Sequence, residues 1–321
     1  MHAATQWIRD VLSEGRDISI RLFKIMIPVL VVVKILQELG AVVLLGRMLS
    51  PVMQLVGLPG SMGLVWATTM LTSLYGGLLV FASLSADYPL TVAQATVLTS
   101  MMLVAHGLPV ELRIAQVAGV RLYVMGTLRV GGAFLFGAIL NQIYSRGNWL
   151  QEVNAMTWIP PAADPSLAAW LLGQLKGLAI IYVVILGLLV LMRLLKRLKV
   201  TDFLTRALNP VLRLLGIGKD ASTVTIIGMT LGLAYGGGLI IREATSGRLK
   251  NRDILFSLAL MGLSHSLIED TLLAAFLGGH ISGIFWGRIL FSLVCIFLLV
   301  RSVSRISQEA FDRYLFLSRS S

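Results

Sequence analysis

Long runs of apolar residues dominate the chain, in place of the regular mixing of polar and apolar positions found in soluble domains. The clearest runs cover residues 25–46, 167–192 and 281–300. Each exceeds the roughly 18 residues that a helix needs to cross the hydrocarbon core of a bilayer. Only 13% of the residues are charged and 56% are hydrophobic, whereas roughly a quarter of a soluble domain is charged. The pattern predicts an all-α integral membrane protein.

A different pattern occupies the first 24 residues, where apolar side chains recur at helical spacing. Trp7, Ile8, Val11 and Leu12 would lie on one face of a helix. The segment lacks the order of basic, apolar and small residues that marks a cleavable signal peptide. Residues 1–24 are therefore predicted to form an N-terminal amphipathic segment at the membrane interface.

Basic residues gather in certain connections and orient the chain. The connection after the second apolar run contains Arg193, Lys196, Arg197, Lys199, Arg206, Arg213 and Lys219. The connection 145–167 holds Arg146 beside Glu152 and Asp164. Because Lys and Arg are enriched in cytoplasmic loops, the former is predicted to be cytoplasmic and the latter external. With a basic tail at 304–321, the protein is expected in the inner membrane of a bacterial cell. Both of its termini are expected on the cytoplasmic side.

The two halves of the chain repeat each other. RMLSPVMQLVG, which begins at Arg47, matches RALNPVLRLLG, which begins at Arg206. The same separation of 159 residues pairs His106 with His265. Further pairs are Pro51 with Pro210, Gly57 with Gly216, Lys34 with Arg193, and Glu111 with Asp270. A colinear series of this kind indicates duplication of one ancestral unit.

The charge rule gives the two copies opposite orientations. The first copy, residues 25–144, starts from the cytoplasm, whereas the second, residues 168–303, starts from the external connection. Inverted-topology repeats place a solute site between the halves near the bilayer midplane, where broken helices expose backbone dipoles. The sequence therefore predicts such a site here.

Two glycine-rich sequences interrupt apolar segments at equivalent places, YGG at 75–77 and YGGG at 235–238. If residues 221–241 crossed the membrane, the basic loop that follows would lie outside, against the charge rule. Both segments are therefore predicted to be re-entrant or broken helical hairpins, which leaves six crossing helices. The amphipathic sequences 47–57 and 206–216 are predicted to be interfacial helices beside the hairpins.

The candidate site combines these breaks with ionisable residues, which are costly to bury at membrane depth and mark function by default. His265 and Glu269 are four residues apart and are predicted to share one helix face, with Asp270 about 100° away. Such a pair could take up a proton or, if any metal is bound, ligate a divalent cation. The substrate-binding candidates are Thr72, Tyr75, Gly76, Gly77, His106, Tyr235, Gly236, Gly237, Gly238, Arg242, Glu243, Ser264, His265, Glu269 and Asp270.

Each candidate also has a structural interpretation. His265 could donate to a neighbouring helix while the acidic residues after it cap a solvated helix end. His106 could be a helix-end residue satisfied by backbone or water. Arg242 and Glu243 either bind an anionic group or cap the hairpin arm.

The duplicated hairpin and the segment GLSHSLIEDT at 262–271 together resemble the nucleoside-recognition, or Gate, domain family. Domains of this family occur in spore-maturation-like membrane proteins, in the membrane region of bacterial ferrous-iron transporters and, more distantly, in concentrative nucleoside transporters. The resemblance covers roughly residues 25–300 and implies a transport-type fold rather than a particular solute. No GxxxxGK[ST] sequence is present, so the guanine-nucleotide domain of the iron transporters is not expected.

These observations favour a secondary carrier that moves a small polar or anionic solute between the halves, with proton or sodium coupling open. The alternatives are a divalent-metal permease and a non-transporting membrane scaffold or assembly protein. A hydrolase is not expected, because Ser264 and His265 are adjacent on a helix and no nucleophile-elbow pattern accompanies them. The net charge of +11 is explained by the basic loops, so no nucleic-acid partner is predicted. No cofactor is expected, and the partners are the solute or ion and the lipid bilayer, with a homodimer left open.

Overall fold

Helices make up nearly all of the regular structure of the protein. The computed structural model describes residues 2–85, 87–154, 166–198 and 200–317. Within these ranges the α-helices are α1 (His2–Glu38), α2 (Ala41–Gln54), α3 (Met62–Leu71), α4 (Leu74–Leu84), α5 (Val92–Val104), α6 (Leu108–Val117), α7 (Leu122–Gly147), α8 (Leu167–Arg197), α9 (Val200–Leu214), α10 (Lys219–Leu231), α11 (Leu233–Thr245), α12 (Asn251–Ser264), α13 (Glu269–Phe276), α14 (Arg288–Val303) and α15 (Gln308–Tyr314). A π-helix, Ser282–Gly287, runs directly into α14. The prediction of an all-α protein is confirmed for the described residues.

Five stretches of the described residues are long and apolar enough to cross a membrane. They are Val92–Val117, Leu122–Gly147, Leu167–Leu191, Asn251–Phe276 and Ser282–Val303. The first predicted span, 25–46, is wrong in its extent, because α1 ends at Glu38 and Gly40 adopts a positive φ of 68° before α2 begins. The chain is thus a multi-pass integral membrane protein. Six crossing helices stay a prediction, since α1 is not among these five.

The N-terminal segment and the first apolar run as far as Glu38 form one continuous helix, with no boundary at residue 24. Trp7 lies beneath the guanidinium groups of Arg193 and Arg197, 5.9 and 6.0 Å from its ring centroid. Glu14 accepts a hydrogen bond from Arg193 at 2.6 Å. The start of α1 therefore packs on the C-terminal end of α8.

Both predicted hairpins are pairs of short packed helices, but their breaks lie before the glycine-rich sequences. The first break is at Thr72 and Ser73, where the Ser73 hydroxyl caps α4 by accepting from the Gly76 amide at 3.3 Å. The second break is at Gly232, with φ 93°. The prediction that residues 75–77 and 235–238 interrupt the helices is therefore wrong, because they lie inside α4 and α11.

The glycines instead let helices approach closely. A Cβ at Gly77 would fall on the Thr69 hydroxyl of α3 and lie 2.9 Å from the Met102 methyl carbon of α5. A Cβ at Gly236 would fall on the backbone of Gly228 in α10. These positions hold glycine because a side chain would push the two arms of each hairpin apart.

The predicted interfacial sequences are helical. Pro51 lies inside α2 and Pro210 inside α9, and the turns that follow contain Gly57 and Gly216, with φ of 72° and 85°. The two helices therefore end in the same way, as the repeat predicts. Their location at the membrane interface stays a prediction.

Buried apolar side chains of the described residues form two clusters, and each draws on both halves of the sequence. The first consists mainly of α1–α5 and α7 residues but includes Leu263, Leu273 and Ile284. The second consists mainly of α10–α12 residues but includes Ala115 and Met125. The halves are thus interlocked, and their meeting surface lies inside the protein.

Candidate functional site

The centre of the meeting surface is a contact between the two histidines that the repeat pairs. α5 ends two residues before His106, and α12 ends directly before His265. Each histidine directs Nδ1 at the backbone carbonyl four residues earlier, His106 at Met102 over 3.0 Å and His265 at Met261 over 2.8 Å. The two Nε2 atoms then lie 2.9 Å apart. Side-chain exposure is only 10% and 4%.

The carbonyl contacts fix the tautomer of both rings. A carbonyl oxygen only accepts hydrogen bonds, so Nδ1 of His106 and Nδ1 of His265 must each carry a proton. In the neutral ring Nε2 is then the basic nitrogen. The two basic nitrogens face each other.

Two carboxylates border this contact, one from each half. Glu111 lies in the first turn of α6, with Oε1 3.4 Å from both Nε2 atoms. Asp270 lies in the first turn of α13, with Oδ2 3.8 Å from the His106 Nε2 and 3.9 Å from the His265 Nε2. The two carboxylates stand 159 residues apart in the sequence, as do the two histidines.

Two buried arginines complete the cluster, and the sequence analysis missed them. Arg129 and Arg288 are 1% and 0% exposed and are also separated by 159 residues. Nε of each donates to the carbonyl two residues before the neighbouring histidine, at 3.0 Å for Arg129 and 2.9 Å for Arg288. Nη1 of Arg129 pairs with Glu111, and Nη2 of Arg288 donates to the His265 carbonyl at 2.8 Å. The shared separation and the placement of both within apolar helices were the signals available.

With neutral histidines the cluster is balanced, because two guanidinium groups face two carboxylates. Among the described residues, Arg129 Nη2, Arg288 Nη1 and Asp270 Oδ2 are buried without a hydrogen-bond partner. The potential ligand atoms of Asp270 and the two histidines lie within 4.8 Å of one another, a spacing that a cation could span. A divalent cation would, however, leave an excess of two buried positive charges, which is unfavourable in a low-dielectric interior.

The predicted pairing of His265 with Glu269 is wrong. His265 is extended and Ser266 has φ 46°, so the helix stops and a new one begins at Glu269. The break changes which acidic residue faces the histidine. Asp270 borders it, whereas Glu269 accepts a hydrogen bond from the Tyr75 hydroxyl at 3.3 Å. A metal site of His265 and Glu269 is therefore not supported.

The two hairpin breaks lie beside the two histidine turns. The Gly107 amide donates to the Thr69 carbonyl at 3.1 Å, next to the first break. The Leu267 amide donates to the Met229 carbonyl at 2.9 Å, next to the second. Four interruptions of helical structure thus surround the contact between His106 and His265.

The remaining candidates have mainly structural contacts. The hydroxyls of Thr72 and Ser264 bond the carbonyls of Thr68 and Leu260, four residues earlier in their own helices. A Cβ at Gly237 would lie 2.5 Å from Ile114, and one at Gly76 would fall on the Thr72 hydroxyl.

At the far end of the second hairpin, Arg242 pairs with Glu243 at 3.4 Å, and the Arg242 side chain is 72% exposed. Both interpretations of Arg242 and Glu243, anion binding and capping, stay predictions. The Tyr235 side chain lies outside the described residues.

Replacing Tyr75 with phenylalanine tests the link between the first hairpin and α13. We expect a loss of about 0.5–1.5 kcal/mol of stability, because the buried Glu269 carboxylate loses a donor. The measurement is thermal unfolding of the purified protein in detergent. Tyr88→Phe is the control, since its hydroxyl has no hydrogen bond among the described residues. Equal losses for both variants would rule out the proposed link.

Comparison with known proteins finds a family match within the first half of the chain. Residues 19–121 match the family described as nucleoside recognition, or Gate, a range that includes His106 and Glu111. The chain is 27% identical over 270 residues to the uncharacterized membrane protein YvoD of Bacillus subtilis (strain 168), which covers 83% of this chain and 85% of that protein. No solved structure matches. The chain is therefore an integral membrane protein whose residues 19–121 match the nucleoside-recognition (Gate) family.

Proposed function

We propose that the protein is a secondary carrier for a small polar or anionic solute, whose path runs between the two halves at the His106–His265 contact. The observation that carries this proposal is the convergence of four helix interruptions on a buried cluster of six ionisable side chains. Interrupted helices at the meeting surface of repeats expose backbone dipoles to a solute. Ionisable groups at this depth are retained for function more often than for stability.

The unpartnered atoms favour an anion over a metal ion. Arg129 Nη2 and Arg288 Nη1 are buried donors with no hydrogen-bond partner among the described residues. A carboxylate or similar anion accepts such hydrogen bonds, whereas a metal ion does not. The charge balance described above counts against a divalent cation. The unpartnered donors and the charge balance therefore support an anionic solute over a neutral polar one.

The proposal includes the opposite orientation of the two copies, both termini in the cytoplasm, and the inner membrane as the location. In this arrangement the hairpins α3–α4 and α10–α11 enter from opposite sides. Rocking of one copy against the other would expose the cluster to each side in turn, the general mechanism of inverted-repeat carriers.

The test uses membrane vesicles incubated in a total small-molecule extract of the host cells, with mass spectrometry of the vesicle contents. We expect at least one solute to accumulate with the wild-type protein. Accumulation should fall more than about tenfold in Asp270→Asn, a change of at least about 1.4 kcal/mol. His280→Ala, which alters an exposed histidine outside the cluster, should accumulate the solute normally.

Two results would contradict the proposal. If no solute accumulates beyond protein-free vesicles, the carrier proposal is wrong and the scaffold alternative replaces it. If Asp270→Asn and His280→Ala both transport at the wild-type rate, the path does not pass through the cluster.

A further inference from the structure

The Nε2 atoms of His106 and His265 cannot both remain unprotonated at their observed separation. Both Nδ1 atoms are committed to carbonyl oxygens, so a neutral pair directs two lone pairs at each other over 2.9 Å. That distance is typical of a hydrogen bond, and a hydrogen bond requires one proton between the nitrogens. Without a proton, the contact between the two nitrogens would be repulsive. One proton converts it into a charge-assisted N–H···N hydrogen bond.

A second proton does not fit. Two imidazolium rings would direct two N–H groups at each other across the same 2.9 Å, and two like charges at this distance cannot both be held in a buried site. The geometry therefore sets the capacity of the pair at one proton.

The surrounding groups can support one added positive charge. The charged or titratable side chains around the pair come from five helices: Tyr75 on α4, Glu111 on α6, Arg129 on α7, Glu269 and Asp270 on α13, and Arg288 on α14. Glu111 contacts both rings and is also paired with Arg129. Asp270 Oδ2 lies 3.8 and 3.9 Å from the two Nε2 atoms and has no hydrogen-bond partner among the described residues, so it is an unused acceptor beside the pair.

We propose that His106 and His265 together bind one shared proton, and that this proton couples the carrier to the proton gradient. The coupling part rests on the proposed function. Counting Arg129, Arg288, Glu111 and Asp270, the cluster is balanced without the proton and carries one positive charge with it; the Glu269 carboxylate, held by the Tyr75 hydroxyl, lies outside this count. A bound monoanion restores the balance, so proton and anion favour each other's binding and move together.

Nitrogen-15 NMR of the histidine side chains in lipid tests the binding part without any transport assay. The chain contains four histidines, which single His→Asn variants assign. Between about pH 5 and 8 we expect both Nδ1 atoms of the pair to stay protonated, with one Nε2 proton per pair and a scalar coupling between the two Nε2 nuclei. Two separately protonated Nε2 atoms, or none across the range, would overturn the inference.

His106→Asn is the sharpest variant, because the asparagine amide can still donate to the Met102 carbonyl while the facing nitrogen is removed. The coupling between nitrogens should disappear. His280→Asn should remove one set of signals and leave the coupling intact. Survival of the coupling in His106→Asn would show that it does not arise from this pair.

The transport part uses the solute found in the vesicle experiment. For one proton with one monoanion, accumulation should rise about tenfold for each pH unit of gradient. His106→Asn should lose this gradient-driven accumulation, whereas His280→Asn, at an exposed position outside the cluster, should keep it. A shared proton without any transported solute would refute the carrier function and the coupling, but not the binding of the proton by the pair. Transport without a shared proton would refute only this inference.

Discussion

Replacing Arg129 with leucine should reduce the stability of the protein by about 3–5 kcal/mol, the usual effect of removing one partner of a buried ion pair. The Glu111 carboxylate would keep its charge in a nearly dry site without its guanidinium partner. The Val104 carbonyl, which accepts a hydrogen bond from Arg129 Nε, would also lose its donor. The measurement is the free energy of unfolding in lipid bicelles.

The double variant Arg129→Leu/Glu111→Leu separates loss of the pair from loss of packing. It removes one charge of each sign, so the cluster stays balanced and most of the lost stability should return. Arg146→Leu, at an exposed position near the end of the same helix, should change stability by no more than about 0.5 kcal/mol. If the double variant is as unstable as the single one, the ion pair is not the source of the effect.

Glycine-to-alanine changes at two neighbouring positions of α11 should have opposite signs. At Gly236 the added methyl would fall on the Gly228 backbone and lie 2.9 Å from the Met261 sulfur, so we expect a loss of about 1–3 kcal/mol. At Gly238 the added methyl has no atom within 4 Å among the described residues, so we expect a gain of about 0.5–1 kcal/mol from better helix propensity.

Thermal unfolding of the two variants in the same detergent gives the comparison. The pair is a matched test, because the two changes are chemically identical and only two residues apart. A loss at Gly238 as large as the loss at Gly236 would show that helix propensity and hairpin packing do not govern this segment.

The separation of 159 residues identifies more members of the cluster than the two histidines. It paired His106 with His265, and the structure brings these two side chains into contact. It equally pairs Arg129 with Arg288. Basic residues at the ends of apolar runs orient the chain, whereas arginines within the runs, such as Arg129 and Arg288, indicate a buried site. A search for ionisable residues at the repeat separation would have found them.

The breaks were harder to predict, because local propensity and packing act at different residues. Gly76 and Gly77 are poor helix formers, yet both lie inside α4. Glycine is needed at Gly77 because a side chain would clash with Thr69 of the facing arm. The actual interruption depends on the Ser73 cap, which leaves a weaker sequence signal. Likewise, nothing in helical periodicity showed that the helix would restart after His265 and turn Asp270 toward the pair.

The cluster takes one histidine, one carboxylate and one arginine from each half, so a gene for one half alone would encode three of its six members. Two such chains could complete the set only by pairing about a twofold axis through the His–His contact. In that homodimer each position must hold the same residue twice. A single chain is free of this constraint, and it holds two different carboxylates, Glu111 and Asp270, at positions separated by 159 residues as the two histidines are.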